Sequence, residues 1–250
     1  MTNRRDLILA ILPAFAVFAL LREAEAAVAV DGRMPARRWV MRQDDLARSL
    51  KGGKFSQAAW HDAVNALARE VDVAELAFEI RRAKTHAAGD PFGHDPKKRF
   101  INFLDDNGMP VRVAYGAALF SFDKNSVITP HAHKHMASAH MVIEGKVRIR
   151  TFDRIADEDG AILIAPSGDE IAEPGQAAAM TTAKDNVHWF TPRAAHAMTF
   201  DIIVDGLDAG TERYTIQPLD PLGGEHLADG TIRAPLLSFE ESSKRYTAAL

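Results

Sequence analysis

The sequence predicts a mainly β protein, in which a double-stranded β-helix (jelly roll) follows a helical segment. Over residues 38–85 apolar side chains recur every three or four residues, which is the period of a helix. From Arg99 onward the period changes to two, which is the period of a strand, and turn residues separate about eight such runs. Eight short antiparallel strands are typical of a jelly roll.

Stop and start signals divide the helical segment into successive helices. The glycines of residues 51–53 end the first helix, because glycine is common just past a helix C-terminus. Ser56 can cap a helix over residues 57–69, where apolar side chains follow at spacings of four and three. Residues 72–82 continue the pattern. We interpret these apolar stripes as faces that pack against the barrel.

The predicted strands occupy residues 99–104, 111–122, 140–143, 146–152, 161–164, 177–182, 187–190 and 198–204. A turn-rich linker precedes them, and a tail punctuated by proline and glycine follows and is expected to pack on the barrel or on the helices. The predicted organisation is an export signal at 1–26, a helical segment and linker at 27–96, the barrel at 97–206 and a C-terminal extension at 207–250.

The first 26 residues have the layout of a bacterial export signal. Arg4-Arg5 precedes an apolar run over residues 7–21, and small residues precede Ala27. The run is shorter than the ~20 residues that a membrane-spanning helix needs, although an uncleaved anchor is the alternative. The arginine pair is similar to a twin-arginine signal. The sequence therefore predicts a periplasmic protein that is soluble once its signal is removed.

Composition excludes several classes of function. The chain contains no cysteine among its 250 residues, which excludes disulfides, thiolate zinc sites and a cysteine nucleophile. Its net charge is −4, whereas binding to nucleic acid requires a basic surface. Any metal must therefore be held by nitrogen and oxygen, and we expect the partner to be a small molecule.

Histidines concentrate where a metal site can form. His131 and His133 alternate along strand-like sequence, so their imidazoles face the same side. His188 lies in a second strand-like run, 186–190, and can supply a third imidazole. His140 shares a strand face with Ser138 and is expected to lie near the site, as a ligand, a proton-transfer group or a buried structural histidine.

The spacing His131-x-His133-x11-Gly145 resembles the first signature of the cupin superfamily. Ser138 occupies the position where that signature usually carries a glutamate ligand, so the resemblance implies three histidine ligands and no carboxylate. The cysteamine dioxygenase and plant cysteine oxidase group of thiol dioxygenases also lacks this glutamate, and the chain resembles that group in three short stretches. These are Thr129-Pro130-His131-Ala132-His133, Asn186-Val187-His188 and Phe200-Asp201-Ile202-Ile203. The Pro-Pro-Tyr and the Pro-Gly of those enzymes are absent here.

The resemblance implies an iron(II) dioxygenase-like oxidoreductase acting on a small thiol or a similar chelating substrate, with O2 as cosubstrate. His131, His133 and His188 would be the ligands, with His140 lining the pocket and Asp201 orienting an imidazole or the substrate. Ligand types alone do not separate iron from zinc, manganese or nickel. Two alternatives therefore stay open: a zinc- or manganese-dependent isomerase or hydrolase, and a non-catalytic periplasmic cupin that binds a metal or another ligand.

Overall fold

A computed structural model describes residues 32–87, 96–207 and 215–247. The predicted export signal and most of the predicted linker lie outside these residues. Within them, the helices are α1 (Ala36–Lys51), α2 (Gln57–Ala68), α3 (Val73–Arg82) and α4 (Phe239–Thr247). None of these helices of the described ranges is long and apolar enough to cross a membrane.

Side-chain caps begin the second and third helices. Ser56 Oγ accepts a hydrogen bond from the Ala59 amide at 3.1 Å, and the Asp72 carboxylate accepts one from the Glu75 amide at 3.0 Å. The predicted cap at Ser56 is therefore confirmed. The predicted helical segment extended to residue 85, but the structure places Lys84–Ala87 in a strand, because α3 ends at Arg82 and the chain then pairs with the following strand.

The strands are divided between two sheets. They are β1 (Lys84–Ala87), β2 (Lys97–Asn102), β3 (Gly116–Asp123), β4 (Ile128–Lys134), β5 (Met136–Glu144), β6 (Val147–Glu158), β7 (Ala161–Ala172), β8 (Ala177–Met180), β9 (Val187–Pro192), β10 (His196–Asp205), β11 (Thr215–Pro218), β12 (Glu225–His226) and β13 (Ile232–Pro235). The eight predicted intervals overlap β2, β3 and β5 to β10, although residues 111–115 of the second interval precede β3 and lie outside any strand. The histidine-bearing stretch, predicted only as strand-like, is β4.

The pairing of these strands is that of a jelly roll. In the described residues one sheet has the order β1-β2-β3-β10-β5-β8, and the other has the order β11-β4-β9-β6-β7-β13-β12. Four antiparallel pairs are nested, with β3 on β10, β4 on β9, β5 on β8 and β6 on β7. A long hairpin of four nested pairs rolled into two facing sheets is a jelly roll, so the predicted fold class is confirmed.

Two apolar layers enclose the first sheet. On its outer face the helices bury Trp39, whose ring meets Phe200 edge-on with the ring centroids 5.8 Å apart. On its inner face Phe122, Val142 and other apolar side chains meet Phe190 of the second sheet. Residues 215–247 extend the second sheet, because β11 pairs with β4 and β13 with β7. The polar end of the space between the two sheets is where the histidines lie.

Candidate metal centre

The histidine pair on β4 and the single histidine on β9, which the sequence predicted as metal ligands, meet because β4 and β9 are neighbouring strands. His131 and His188 are direct partners in the antiparallel register, so their side chains leave the sheet on the same face. His133 lies two residues along β4 and faces the same way. One ring nitrogen from each of the three lies within 4.8 Å of the others. Among the described residues, these three histidines form a cluster that could hold a metal ion.

The ring orientations suit a common ion. His131 Nδ1 lies 2.8 Å from the carbonyl oxygen of Thr129, which can only accept, so Nδ1 carries the proton of the neutral ring and Nε2 is bare. His131 Nε2 and His133 Nε2 are 3.0 Å apart. Two nitrogens bound at right angles to one ion at about 2.1 Å are also about 3.0 Å apart. The residues present therefore fit a divalent metal.

Burial keeps the three imidazoles neutral. It lowers the pKa of His131 to about 4, and it lowers the pKa of His133 and His188 well below the ordinary value for histidine. The positive charges that neighbouring histidines would acquire lower the pKa of His133 and His188 further. A neutral ring is the form that binds a metal, so no proton has to be displaced at neutral pH.

Asn186 fixes the two histidine-bearing strands relative to each other. Its side chain is fully buried, and its amide group donates to the backbone oxygens of His133 at 2.9 Å and of Thr181 at 3.1 Å. The sequence offered Asn186 only as part of the Asn-x-His stretch that resembles thiol dioxygenases. In the structure this amide ties the start of β9 to the backbone of a candidate ligand on β4.

A second connection joins the helices to the loop that precedes β9. His61 of α2 is buried, and its Nε2 lies 2.8 Å from the carboxylate of Asp185, next to Asn186. Burial acts to lower the pKa of His61, but hydrogen bonds to Asp185 and Asp62 outweigh it and raise that pKa. The partner of His61 lies 124 residues away in the sequence.

His140 and Asp201 lie side by side on β5 and β10, where they are register partners. His140 Nδ1 is 3.2 Å from Thr199 Oγ1, and its Nε2 is 3.6 Å from Asp201 Oδ1, which is too long for a hydrogen bond. The His140 ring centroid is 6.2 Å from that of His188. Both residues line the same cavity as the three histidines, but His140 is outside the cluster that could hold an ion.

Burial makes both side chains neutral. It raises the pKa of Asp201 to about 8, although the charge of Lys98 acts in the opposite direction, and it lowers the pKa of His140 well below its ordinary value. Asp201 Oδ1 and Ser138 Oγ are buried and lack a hydrogen-bond partner within the described residues. Two polar atoms are thus available to a bound molecule.

The cavity in front of the histidines has a volume of about 230 Å³. Drug-sized ligands occupy about 300–1,000 Å³, so this space suits a smaller molecule. Sequence reasoning missed two of its lining residues, Lys98 on β2 and Phe120 on β3, which are direct partners in the register. His135 has a left-handed φ of 62° and does not belong to the cluster of described residues that could hold an ion.

Comparisons with known proteins give only weak likenesses. No protein-family model and no curated protein matches the chain. Among solved structures, KdgF from Halomonas sp. is 14% identical over 47% of this chain and 84% of that chain, with a TM-score of 0.33. Procruciferin, the 11S globulin from Brassica napus, is 11% identical over 53% of this chain and 29% of that chain, with a TM-score of 0.35. The vicilin from Solanum melongena is 14% identical over 54% of this chain and 32% of that chain, with a TM-score of 0.36.

The chain therefore spans about a third or less of the length of the globulin and the vicilin that it matches. The protein has a jelly roll, the architecture that cupins share, and three histidines converge inside it.

Proposed function

We propose that the protein is a mononuclear metal-dependent cupin that uses iron(II) to oxidise a small thiol with O2. The observation that carries the proposal is the cluster of three neutral imidazoles, His131 half-buried and the other two buried, without a carboxylate among them. A carboxylate ligand would already neutralise one charge of a divalent ion, whereas three imidazoles neutralise none. Such a centre favours an anionic ligand, and a substrate thiolate is one.

The proposed reaction converts a thiol, R–SH, and O2 into a sulfinic acid, R–SO2H. Both oxygen atoms bond to sulfur, sulfur loses four electrons and O2 gains four, so no further reductant is needed. Iron(II), when bound, would supply the redox chemistry and bring the two reactants to one centre. His131, His133 and His188 would hold it.

The remaining side chains act on the substrate. We assign proton transfer with the substrate to His140, whose two ring nitrogens face Thr199 and Asp201. Asp201 would orient the substrate through its unpaired Oδ1. Phe120 and Phe190 lie against the His140 ring, with centroids 5.1 Å and 4.8 Å away, and they would shield that ring from water.

Metal analysis combined with product analysis tests the proposal. The purified protein is analysed for metal, and O2 uptake is then measured with small thiols. Mass spectrometry of the product separates enzymatic sulfinate, with two added oxygen atoms, from the disulfide that free iron produces. The His188→Ala variant, purified and assayed in parallel, should lose the sulfinate and retain only the background. Stoichiometric iron with one O2 consumed for each sulfinate formed is the expected result.

Other outcomes favour the alternatives. A loaded site that consumes no O2 with any thiol would support the non-catalytic metal- or ligand-binding cupin. Zinc or manganese as the resident metal would support the isomerase or hydrolase, since such an ion would hold a water in the open position.

Export to the periplasm is part of the proposal and depends on the first 26 residues. A twin-arginine route would let the protein fold and load its metal in the cytoplasm before export. Mass spectrometry of the mature protein should find an N-terminus near Ala27. Finding Met1 on membrane-associated protein would establish the anchor instead.

A further inference from the structure

Lys98 is a cation on the inner face of the first sheet. It lies opposite Phe120 in the register between β2 and β3, and it lines the cavity that contains the histidines. Its Nζ is 5.0 Å from the ring centroid of Phe120 and 5.0 Å from that of Phe100. Two aromatic faces thus hold the ammonium group at the cavity through cation–π contacts.

The charges around the cavity are unbalanced. Apart from the histidines, Lys98 and Asp201 are the ionisable side chains among the described residues that line it. Burial favours the neutral acid of Asp201. Even with Asp201 ionised, Lys98 at +1, a divalent ion at +2 and the carboxylate at −1 leave a net charge of +2. A thiolate neutralises one of these charges, and a second anionic group is needed for the other.

We infer that the substrate of this site carries an anionic group, such as a carboxylate, on a short chain in addition to the atom that binds the metal, and that Lys98 receives this group. The inference rests on the proposed function and names its substrate class. Ser138 supports it, because the residue is 1% exposed and lines the cavity, and its hydroxyl has no hydrogen-bond partner in the described part of the chain. A hydroxyl can donate to the same anion.

The size of the cavity restricts the chain that joins the two groups. About 230 Å³ accommodates a molecule of a few carbon atoms together with O2. A substrate that carried an ammonium group in place of the carboxylate would face Lys98 and the metal with a like charge. The site should therefore discriminate against amines of the same length.

Binding to the zinc-loaded protein tests the inference without turnover. Titration calorimetry compares 3-mercaptopropionate, 2-mercaptoethanol and cysteamine, which share a two-carbon spacer and differ in the charge of one end. The variants are Lys98→Gln and Lys98→Glu. Lys97→Gln is the matched control, because Lys97 is the exposed neighbour on the same strand. Metal content is measured for every variant before any thiol is added.

The acid should bind the wild type and Lys97→Gln at least about tenfold more tightly than the other two thiols, which is the size of a charge-assisted hydrogen bond. Lys98→Gln should remove that preference, and Lys98→Glu should transfer it to cysteamine. Equal binding of the three thiols by the wild type, including no binding at all, overturns the inference. A preference for the acid that survives in Lys98→Gln overturns it as well.

The same design separates this inference from the proposed function. Failure to hold a metal, or failure of the iron-loaded protein to form sulfinate from any thiol, contradicts the proposed function. The order of affinities on the zinc-loaded protein bears only on the role of Lys98.

Discussion

Replacing Asn186 by alanine should loosen the connection between the two histidine-bearing strands. The wild-type amide donates to the backbone oxygens of His133 and Thr181, and its side chain is fully buried. The variant leaves both oxygens without these donors in a region that water does not reach. The expected results are a lower free energy of unfolding and a weaker metal site.

The contacts set the size of the effect. Each lost hydrogen bond contributes about 1 kcal/mol, and an unsatisfied buried carbonyl adds to that cost, so the total is about 2–3 kcal/mol. With a urea m value of about 2 kcal/mol/M, the midpoint of unfolding should fall by about 1–1.5 M. Because the amide also positions the His133 backbone, metal affinity should drop by about 10–100-fold.

Urea unfolding is followed with a chelator present, because bound metal would otherwise contribute to the measured stability. Asn107→Ala is the matched control, since Asn107 is exposed in a turn. A change of less than about 0.5 kcal/mol for Asn186→Ala, equal to that of the control, would refute the structural role given to this amide.

Three further predictions concern other parts of the same structure. The pKa of His61 is raised in the fold, so this residue stabilises the protein below its unfolded pKa of about 6.5, and that stability is lost as pH rises through the folded value. In urea unfolding, the free energies of unfolding of the wild type and His61→Gln should therefore differ more at pH 5.5 than at pH 8.5. A difference that increases with pH would contradict this. Gly145→Ala should lower the free energy of unfolding by more than about 2 kcal/mol, because Gly145 has a φ of 71° and a Cβ there would overlap the backbone oxygen of His196. Gly160→Ala, at a φ of 70° with open space around it, should lower that free energy by only about 1 kcal/mol. Equal urea midpoints for the two variants would show that the overlap is relieved. His140→Ala should keep its metal, measured by elemental analysis, while turnover falls by about 10–100-fold; loss of the metal would make His140 a ligand.

Local sequence signals were sufficient where the structure depends on one strand or one helix turn. Alternation along β4 puts His131 and His133 on one face, and the cap at Ser56 begins α2 as predicted. His188 reaches the other two histidines only because strands distant in the sequence pair with each other, and the register of β4 with β9 places it beside them.

Features that depend on long-range pairing carried no signal of their own. In the sequence Lys98 is one of several basic residues, and only the pairing of β2 with β3 places it at the cavity. The contact of His61 with Asp185 joins a helix to a loop 124 residues away, and no local pattern predicts it. Residues 84 and 85 belonged to the predicted helical segment but lie in β1, because strand pairing with β2 competes with a helix end of weak propensity.

The metal content of the protein tests the central claim most directly. Elemental analysis of the purified wild type should find one divalent ion per chain, and His188→Ala should retain less than about a tenth of it, because two imidazoles on one strand hold an ion weakly. His226→Ala, at an exposed histidine on β12, should match the wild type. A wild type without metal after exposure to iron(II), zinc and manganese, or a His188→Ala variant that stays fully loaded, would contradict the three-histidine centre.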